Sequence, residues 1–406
     1  MKQGSLPVMA ILDIIKTLQF PLPFEIHLPD GSHHKHGSGE PVFVMRIKTD
    51  AALSDVMRQG SLGFGEAYMR EEIDIEGDVQ EVSRLGYALM ETDALTPTFM
   101  EKLKFLFVYF SRRNTREGSR KNIQAHYDLG NDFYSLWLDK EMQYTCAYFH
   151  DFKDSLEKAQ LQKLEHVCRK VRLKKGDTVV EAGCGWGGFA RYAAKHYGVK
   201  IRSYNISQEQ IEYAREMQKK LKIPQSQVEY VLDDYRSIGS SGEKYDKFVS
   251  VGMLEHVGRE NYYGLYEIIQ KVVEKRGMAI VHSIGRRFPR KPDPWLEKYI
   301  FPGCYIPSLS DMITPFESLP GHDLHVVDVE NLRYHYALTL DHWWMRLEKN
   351  AEKIRKQYGE AFVRMFRLYL RAAAAGFRYD ELTLLQVVLS NGSDNTAPLT
   401  RKHLYK

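Results

Sequence analysis

The chain has 406 residues, of which 43% are hydrophobic and 27% charged, with a net charge of +4. That length fits about two domains, and the charged fraction and negative mean hydropathy argue against a membrane-embedded protein. No apolar run approaches the ~20 residues of a spanning helix, no signal-peptide pattern opens the chain, and the charge balance lacks the strongly basic character expected of a nucleic-acid binder.

In chain order, MAILDIIKTLQF is apolar but short and interrupted. FEIHLPDGS and EPVFVMRIK suggest two strands around an Asp-Gly turn, and SDVMRQGSLGFGEAYMREEIDIEGD suggests a helix, a glycine turn and a short strand. Residues 1–110 therefore form a small α+β module. The HHKH tract at His33–His36 lies in a polar turn without Cys or acid partners, so no metal is assigned to it. Residues 111–122 have no hydrophobic period and form a basic linker carrying Arg112, Arg113, Arg116, Arg120 and Lys121. The main domain, 123–406, follows.

From residue 155 helices and strands alternate: LEKAQLQKLEHVCRKVRL, TVVEA, FARYAAKHY, KIRSYN, EQIEYAREMQKKLK, EYVL, DKFVSVG, YGLYEIIQKVVEK and GMAIVHSIG. This alternation predicts a parallel sheet covered by helices on both faces, with the ligand at the carboxyl ends of its strands. Residues 286–380 form an insertion with the helices LDHWWMRLEKNAEKIRKQY and EAFVRMFRLYLRAAAAGF, placed to roof a substrate pocket. LTLLQVVLS is the closing strand. A second basic group, Arg286, Arg287, Arg290 and Lys291, opens the insertion, and Arg401, Lys402 and Lys406 lie in the tail. Such clusters suit an anionic bilayer surface, and equally a solvated loop. Cys146, Cys168, Cys184 and Cys304 show no Cys-x-x-Cys pair, which predicts reduced thiols and a cytoplasmic setting.

The most informative stretch is VVEAGCGWGG, Val179–Gly188: a β-branched run, an acid, then a glycine turn. Gly183, Gly185 and Gly188 have the spacing of a dinucleotide fingerprint. Two details favour S-adenosylmethionine over a nicotinamide. Glu181 stands where a carboxylate meets the methionine ammonium, and Asn205 ends the next strand where NAD proteins carry an acid ~20 residues on.

HYDLGNDFYSLWLDKEMQYTCAYF, EAGCGWGG, SVGMLEHVG, HSIG, PWLEKYIFPG and LLQVVLS resemble, in order, the blocks of the cyclopropane fatty acid synthases and the related cyclopropane mycolic acid synthases. The resemblance covers about residues 122–392, and GFGEAYM resembles the N-terminal domain of longer bacterial members. It implies an α/β class I S-adenosylmethionine-dependent methyltransferase (Rossmann-like) domain with a helical lipid-pocket insertion, plus the small N-terminal domain. It further implies an unsaturated phospholipid substrate, a homodimer, and peripheral association with the inner face of the membrane.

In that chemistry an alkene attacks the sulfonium methyl, and the carbocation loses a proton from the new methyl as the ring closes. In the resembling family the base is a bicarbonate ion, whose matching positions are Cys146, Glu255, His282, the Ile284 backbone amide and Tyr336. The cofactor positions carried over are Tyr144 and Thr145 at the methionine moiety, Gly183 and Gly185 at the turn, Asn205 and Gln210 at the ribose and adenosine, and Asp234 and Tyr235 at the adenine. Many relatives have Thr at the place of Asn205, which keeps a donor and an acceptor. Each residue also has a plain structural role open to it: a buried thiol for Cys146, a helix cap for Glu255, a core histidine for His282. Reduction, alternative deprotonation or water capture of the same cation would give methyl-branched, methylene or hydroxylated chains. A catalytically dead lipid-binding protein is the alternative of another class.

Overall fold

The computed structural model describes residues 20–90, 130–321 and 323–405. The basic linker 111–122 lies outside these, as does most of MAILDIIKTLQF. The described chain forms two compact units.

Of the described residues, the first unit gathers 20–90, Pro292–Pro302 and Leu340–Glu381. The inserted stretch 286–380 is thus divided: its last helices belong with the N-terminal region rather than with the second unit. Four strands, β1 (Phe24–His27), β2 (His33–His36), β3 (Phe43–Ile47) and β4 (Ile73–Gly77), form a sheet in the order β2-β1-β3-β4. The HHKH tract is therefore a strand, antiparallel to β1, and not a polar turn. The segment 61–69, expected to hold a glycine turn, is a helix, Ser61–Met69. Its glycines serve close packing: a Cβ on Gly63 would lie 2.1 Å from the Asp55 carbonyl oxygen, and one on Gly65 would lie 2.2 Å from the Trp295 indole. The helix Glu360–Tyr379 supplies this unit with arginines. Arg364 donates to the Tyr68 and Ile73 carbonyls at 3.0 and 3.1 Å and to Asp74 at 2.8 Å, while Arg371 pairs with Asp78 and Asp341.

The second unit carries a seven-stranded sheet: β5 (Thr178–Ala182), β6 (Lys200–Asn205), β7 (Val228–Leu232), β8 (Tyr245–Val251), β9 (Val273–Arg286), β10 (Leu324–Asn331) and β11 (Leu382–Asn391), in the order β10-β11-β9-β8-β5-β6-β7. Strands β5 to β9 are parallel, but β11 runs antiparallel to β9 and β10 antiparallel to β11, so the sheet is mixed rather than wholly parallel. Consecutive residues alternate between two apolar clusters. Val180, Phe248 and Val281 enter one, and Val179, Val249 and Ile280 the other. Both faces are therefore buried, which is why these strands read as continuous apolar runs. Among the described residues no helix is long and apolar enough to cross a membrane.

Candidate active site

At the carboxyl end of β5 the chain turns through Gly183 and Gly185, with φ of +82° and +50°, before the helix Gly188–Tyr197 begins. The Gly183 and Cys184 amides donate to the Tyr204 carbonyl at 3.0 and 3.1 Å, pinning the turn to β6. A Cβ on Gly183 would lie 2.9 Å from the Met253 Cβ and one on Gly187 2.5 Å from the Tyr230 hydroxyl, so these glycines are required by neighbouring side chains. Gly185 differs. A Cβ there meets no protein atom within 4 Å, and Gly185 lines a cavity. The void beside this backbone is the space a cofactor needs.

Seven of the nine expected cofactor residues line that cavity: Tyr144, Thr145, Glu181, Gly183, Gly185, Asn205 and Gln210. Glu181 is buried, which pushes its carboxyl up to about 7 although the Ser203 hydroxyl donates to it at 2.7 Å. Asn205 is engaged on both sides: Nδ2 donates to the Gly185 carbonyl at 3.1 Å and to Gln210 Oε1 at 2.7 Å, and Oδ1 accepts the Ser207 amide at 3.2 Å. Gln210 Nε2 is buried without a partner. Of the two, Gln210 has the unspent donor. Asp234 and Tyr235 lie in the short 3-10 turn after β7 and do not line the cavity; Asp234 caps that turn and pairs with Arg236 at 3.0 Å.

The sequence reading missed Lys163. It is fully buried on the helix Leu156–Lys170, lines the same cavity, and donates to Gln143 Oε1 at 2.8 Å and Thr145 Oγ1 at 2.7 Å. Burial pushes its ammonium down to about 8. Three residues earlier, Gln160 donates to the Thr145 carbonyl at 2.8 Å, so one helix face grips the segment that bears Tyr144 and Thr145. A lysine on an apolar helix face, spaced i, i+3 from a glutamine, was the available signal.

The five expected catalytic residues start from different elements. Glu255 opens the short helix Leu254–Val257 just after β8, and its Oε1 accepts the Ile284 amide of β9 at 2.6 Å. Burial pushes the Glu255 carboxyl up to about 7, and its Oε2 has no partner. His282 lies two residues before Ile284 on β9 and is 1% exposed. Burial holds it well below the usual histidine range, so the imidazole is neutral. The Gln386 amide meets its Nδ1 at 3.0 Å, and its Nε2 has no partner. Cys146 is buried, donates to the Ala147 carbonyl at 3.1 Å, and has its thiol pushed up by burial, which disfavours a thiolate nucleophile. Tyr336 is buried on the helix Arg333–Lys349. One turn on, Thr339 Oγ1 accepts the Ala147 amide at 3.0 Å, fastening this helix to the Cys146 segment. Thr145 and Met253, next to Cys146 and two residues before Glu255, line the cofactor cavity.

Away from this site, Glu25, His27 and His33 bring three metal-ligating atoms within 4.8 Å of one another, so the histidine tract does have an acid neighbour. The two imidazoles stack 3.8 Å apart and His27 bonds Glu25 at 2.8 Å. Lys35 stands opposite Glu25, and Arg46 opposite His27, on the same sheet face.

A family model described as mycolic acid cyclopropane synthetase matches residues 114–387, and one described as a domain of unknown function matches 13–94. A cyclopropane-fatty-acyl-phospholipid synthase of Escherichia coli is 35% identical over 360 residues, 88% of this chain and 90% of that protein. A probable fatty acid methyltransferase of Pseudomonas putida is 33% identical over 399 residues, 95% of this chain and 97% of that protein. Among solved structures, a mycolic acid cyclopropane synthase complexed with SAH and CTAB is 27% identical, with a TM-score of 0.60 over 67% of this chain and 98% of that one.

Proposed function

Since the chain belongs to the mycolic acid cyclopropane synthetase family and has its methyltransferase fold, we propose that it converts the cis double bond of an unsaturated phospholipid acyl chain into a cyclopropane. S-adenosylmethionine supplies the one-carbon unit as an electrophilic methyl. Tyr144, Thr145, Glu181, Gly183, Gly185 and Gln210 would hold it, and the open space beside Gly185 fits such a ligand.

One observation carries the reading of the inner cluster: Glu255 Oε2 and His282 Nε2 are both buried and both without partners, on elements joined by the Glu255–Ile284 bond. Buried polar atoms left unbonded cost on the order of 1–3 kcal/mol each, so a small polar ligand completes the set. Bicarbonate fits. A Glu255 carboxyl pushed up to about 7 keeps a proton to donate to an oxyanion, where a fully ionised carboxylate would repel it. Bicarbonate would accept the proton lost from the transferred methyl as the ring closes, with Cys146, Glu255, His282, the Ile284 amide and Tyr336 as the groups around it.

The patch offered to a lipid surface is smaller than the run of basic residues from Arg286 to Lys291. Arg287, Phe288, Arg290 and Lys291 are exposed, Phe288 by 57%, and a cation beside an exposed ring suits a headgroup boundary. Arg286 is excluded from this patch: it is buried and donates to the Arg290 and Lys291 carbonyls. A cytoplasmic, membrane-peripheral homodimer remains part of this reading.

A second outcome, a methyl- or methylene-branched chain, is favoured by the Pseudomonas putida relative, described as a probable fatty acid methyltransferase. Lipid mass spectrometry with a trideuterated methyl donor separates them. A cyclopropane retains two deuteriums and resists mild hydrogenation. Three deuteriums, or a product that readily takes up hydrogen, would overturn the cyclopropane assignment.

A further inference from the structure

The antiparallel register of β9 and β11 places Gln386 directly opposite His282, with both side chains buried. The Gln386 Nε2 lies 3.0 Å from His282 Nδ1. An amide nitrogen only donates, and a neutral imidazole carries one N–H. If Nδ1 accepts from Gln386, the imidazole proton resides on Nε2, the atom left buried and without a partner.

From this geometry we infer that Gln386 is a positioning residue: it fixes His282 as the Nε2–H tautomer, so that the imidazole presents a donor to a small oxyanion held beside Glu255. The inference rests on the reading of that cluster as an oxyanion site. The opposite amide orientation would turn Gln386 Oε1 toward Nδ1 and require the proton there. Nε2 would then be a bare acceptor, buried and without a partner. A lone pair facing an anion repels it; a donor attracts it. In the orientation found, Gln386 Oε1 is left buried without a partner while Nε2 faces Nδ1, so the donor to Nδ1 is in place before any anion binds. A histidine that supports an oxyanion in this way needs no charge of its own, in keeping with its burial.

The test is nitrogen-15 NMR of the histidines in the resting full-length protein, without bicarbonate or lipid, with His282→Gln identifying its signal among the 15 histidines. The expected spectrum shows Nε2 protonated and Nδ1 bare; a protonated Nδ1 overturns the inference. Gln386→Glu offers a carboxylate that demands an Nδ1 proton, and Gln386→Leu offers no partner. Both should raise the bicarbonate concentration for half-maximal turnover at least tenfold and leave S-adenosylmethionine binding within about twofold, which also reports an intact fold. A variant that binds S-adenosylmethionine normally and keeps the wild-type bicarbonate requirement overturns the role of Gln386. Should the Glu variant fail to fold, the wild-type spectrum and the Leu variant still decide. Indifference of wild-type turnover to bicarbonate depletion overturns the oxyanion reading itself, and the tautomer, read without the ion, tells that failure from the other.

Discussion

In the glycine cradle the charged groups and Asn205 are bonded to other protein groups, Glu181 to Ser203, Asn205 to Gly185 and Gln210, Lys163 to Gln143 and Thr145, with Gln210 Nε2 and Gln160 Oε1 left over. The inner cluster, drawn from the later strands β9 and β11 and the short helix after β8, leaves Glu255 Oε2, His282 Nε2 and Gln386 Oε1 unbonded. The cradle is organised before its ligand arrives, so binding there needs little rearrangement. The cluster keeps unsatisfied atoms at a cost in stability, as expected where ligand groups complete the hydrogen bonding.

The largest effect belongs to Glu255→Gln, which should lower turnover by ~10²–10⁴-fold, the usual worth of positioned acid–base chemistry. Calorimetry should show S-adenosylmethionine affinity unchanged within about twofold; a parallel loss of affinity would merge cradle and cluster into one site. Next in size is Gly185→Val. A β-branched side chain at φ +50° is strained and fills the open space, so affinity should fall on the order of 10–100-fold while circular dichroism stays native. Lys163→Met removes two hydrogen bonds made by a buried ammonium. We expect roughly tenfold weaker cofactor binding, from about 1.5–3 kcal/mol per charged bond less what relaxation of the segment recovers. Unchanged affinity would show that Gln160 alone suffices.

The smallest effect is in pH dependence. Burial raises the Glu255 carboxyl from its ordinary 4.5 to about 7, so between these values the folded chain keeps a proton that the unfolded chain releases. Its stabilising share is complete below about 4.5, declines as pH rises and is gone above about 7. Urea unfolding at a series of pH values should show a shallower decline in Glu255→Gln than in wild type. An identical slope would place the ionised form in the resting cluster.

Much of this was legible because it is local. The β-branched run into Gly183 and Gly185 announces a strand and a turn, and seven of the nine expected cofactor residues line one cavity. Asp234 and Tyr235 were placed by a motif alone, and the structure turns Asp234 onto its own 3-10 cap. Lys163 escaped notice because a lysine on a helix usually faces solvent, and its place on the apolar face beside Gln160 is a weaker signal than that habit. Gln386 escaped because its meaning depends on a register with His282 across 104 residues. The expectation of a wholly parallel sheet failed at β10, a strand hidden in the inserted region, and at the reversal of β11.

The arginines of the helix Glu360–Tyr379 have a consequence for the order of synthesis. Arg364 meets Ile73 and Asp74, and Arg371 meets Asp78, across 290 residues or more. At about 5–20 residues per second, the opening strands emerge from the ribosome roughly 15–60 seconds before the cations that complete them. During that interval the Ile73 carbonyl and the Asp74 and Asp78 carboxylates must rely on water or a chaperone. The unit begun first is therefore among the last to be finished, and a nascent chain stalled before residue 360 would expose a sheet awaiting its counterions.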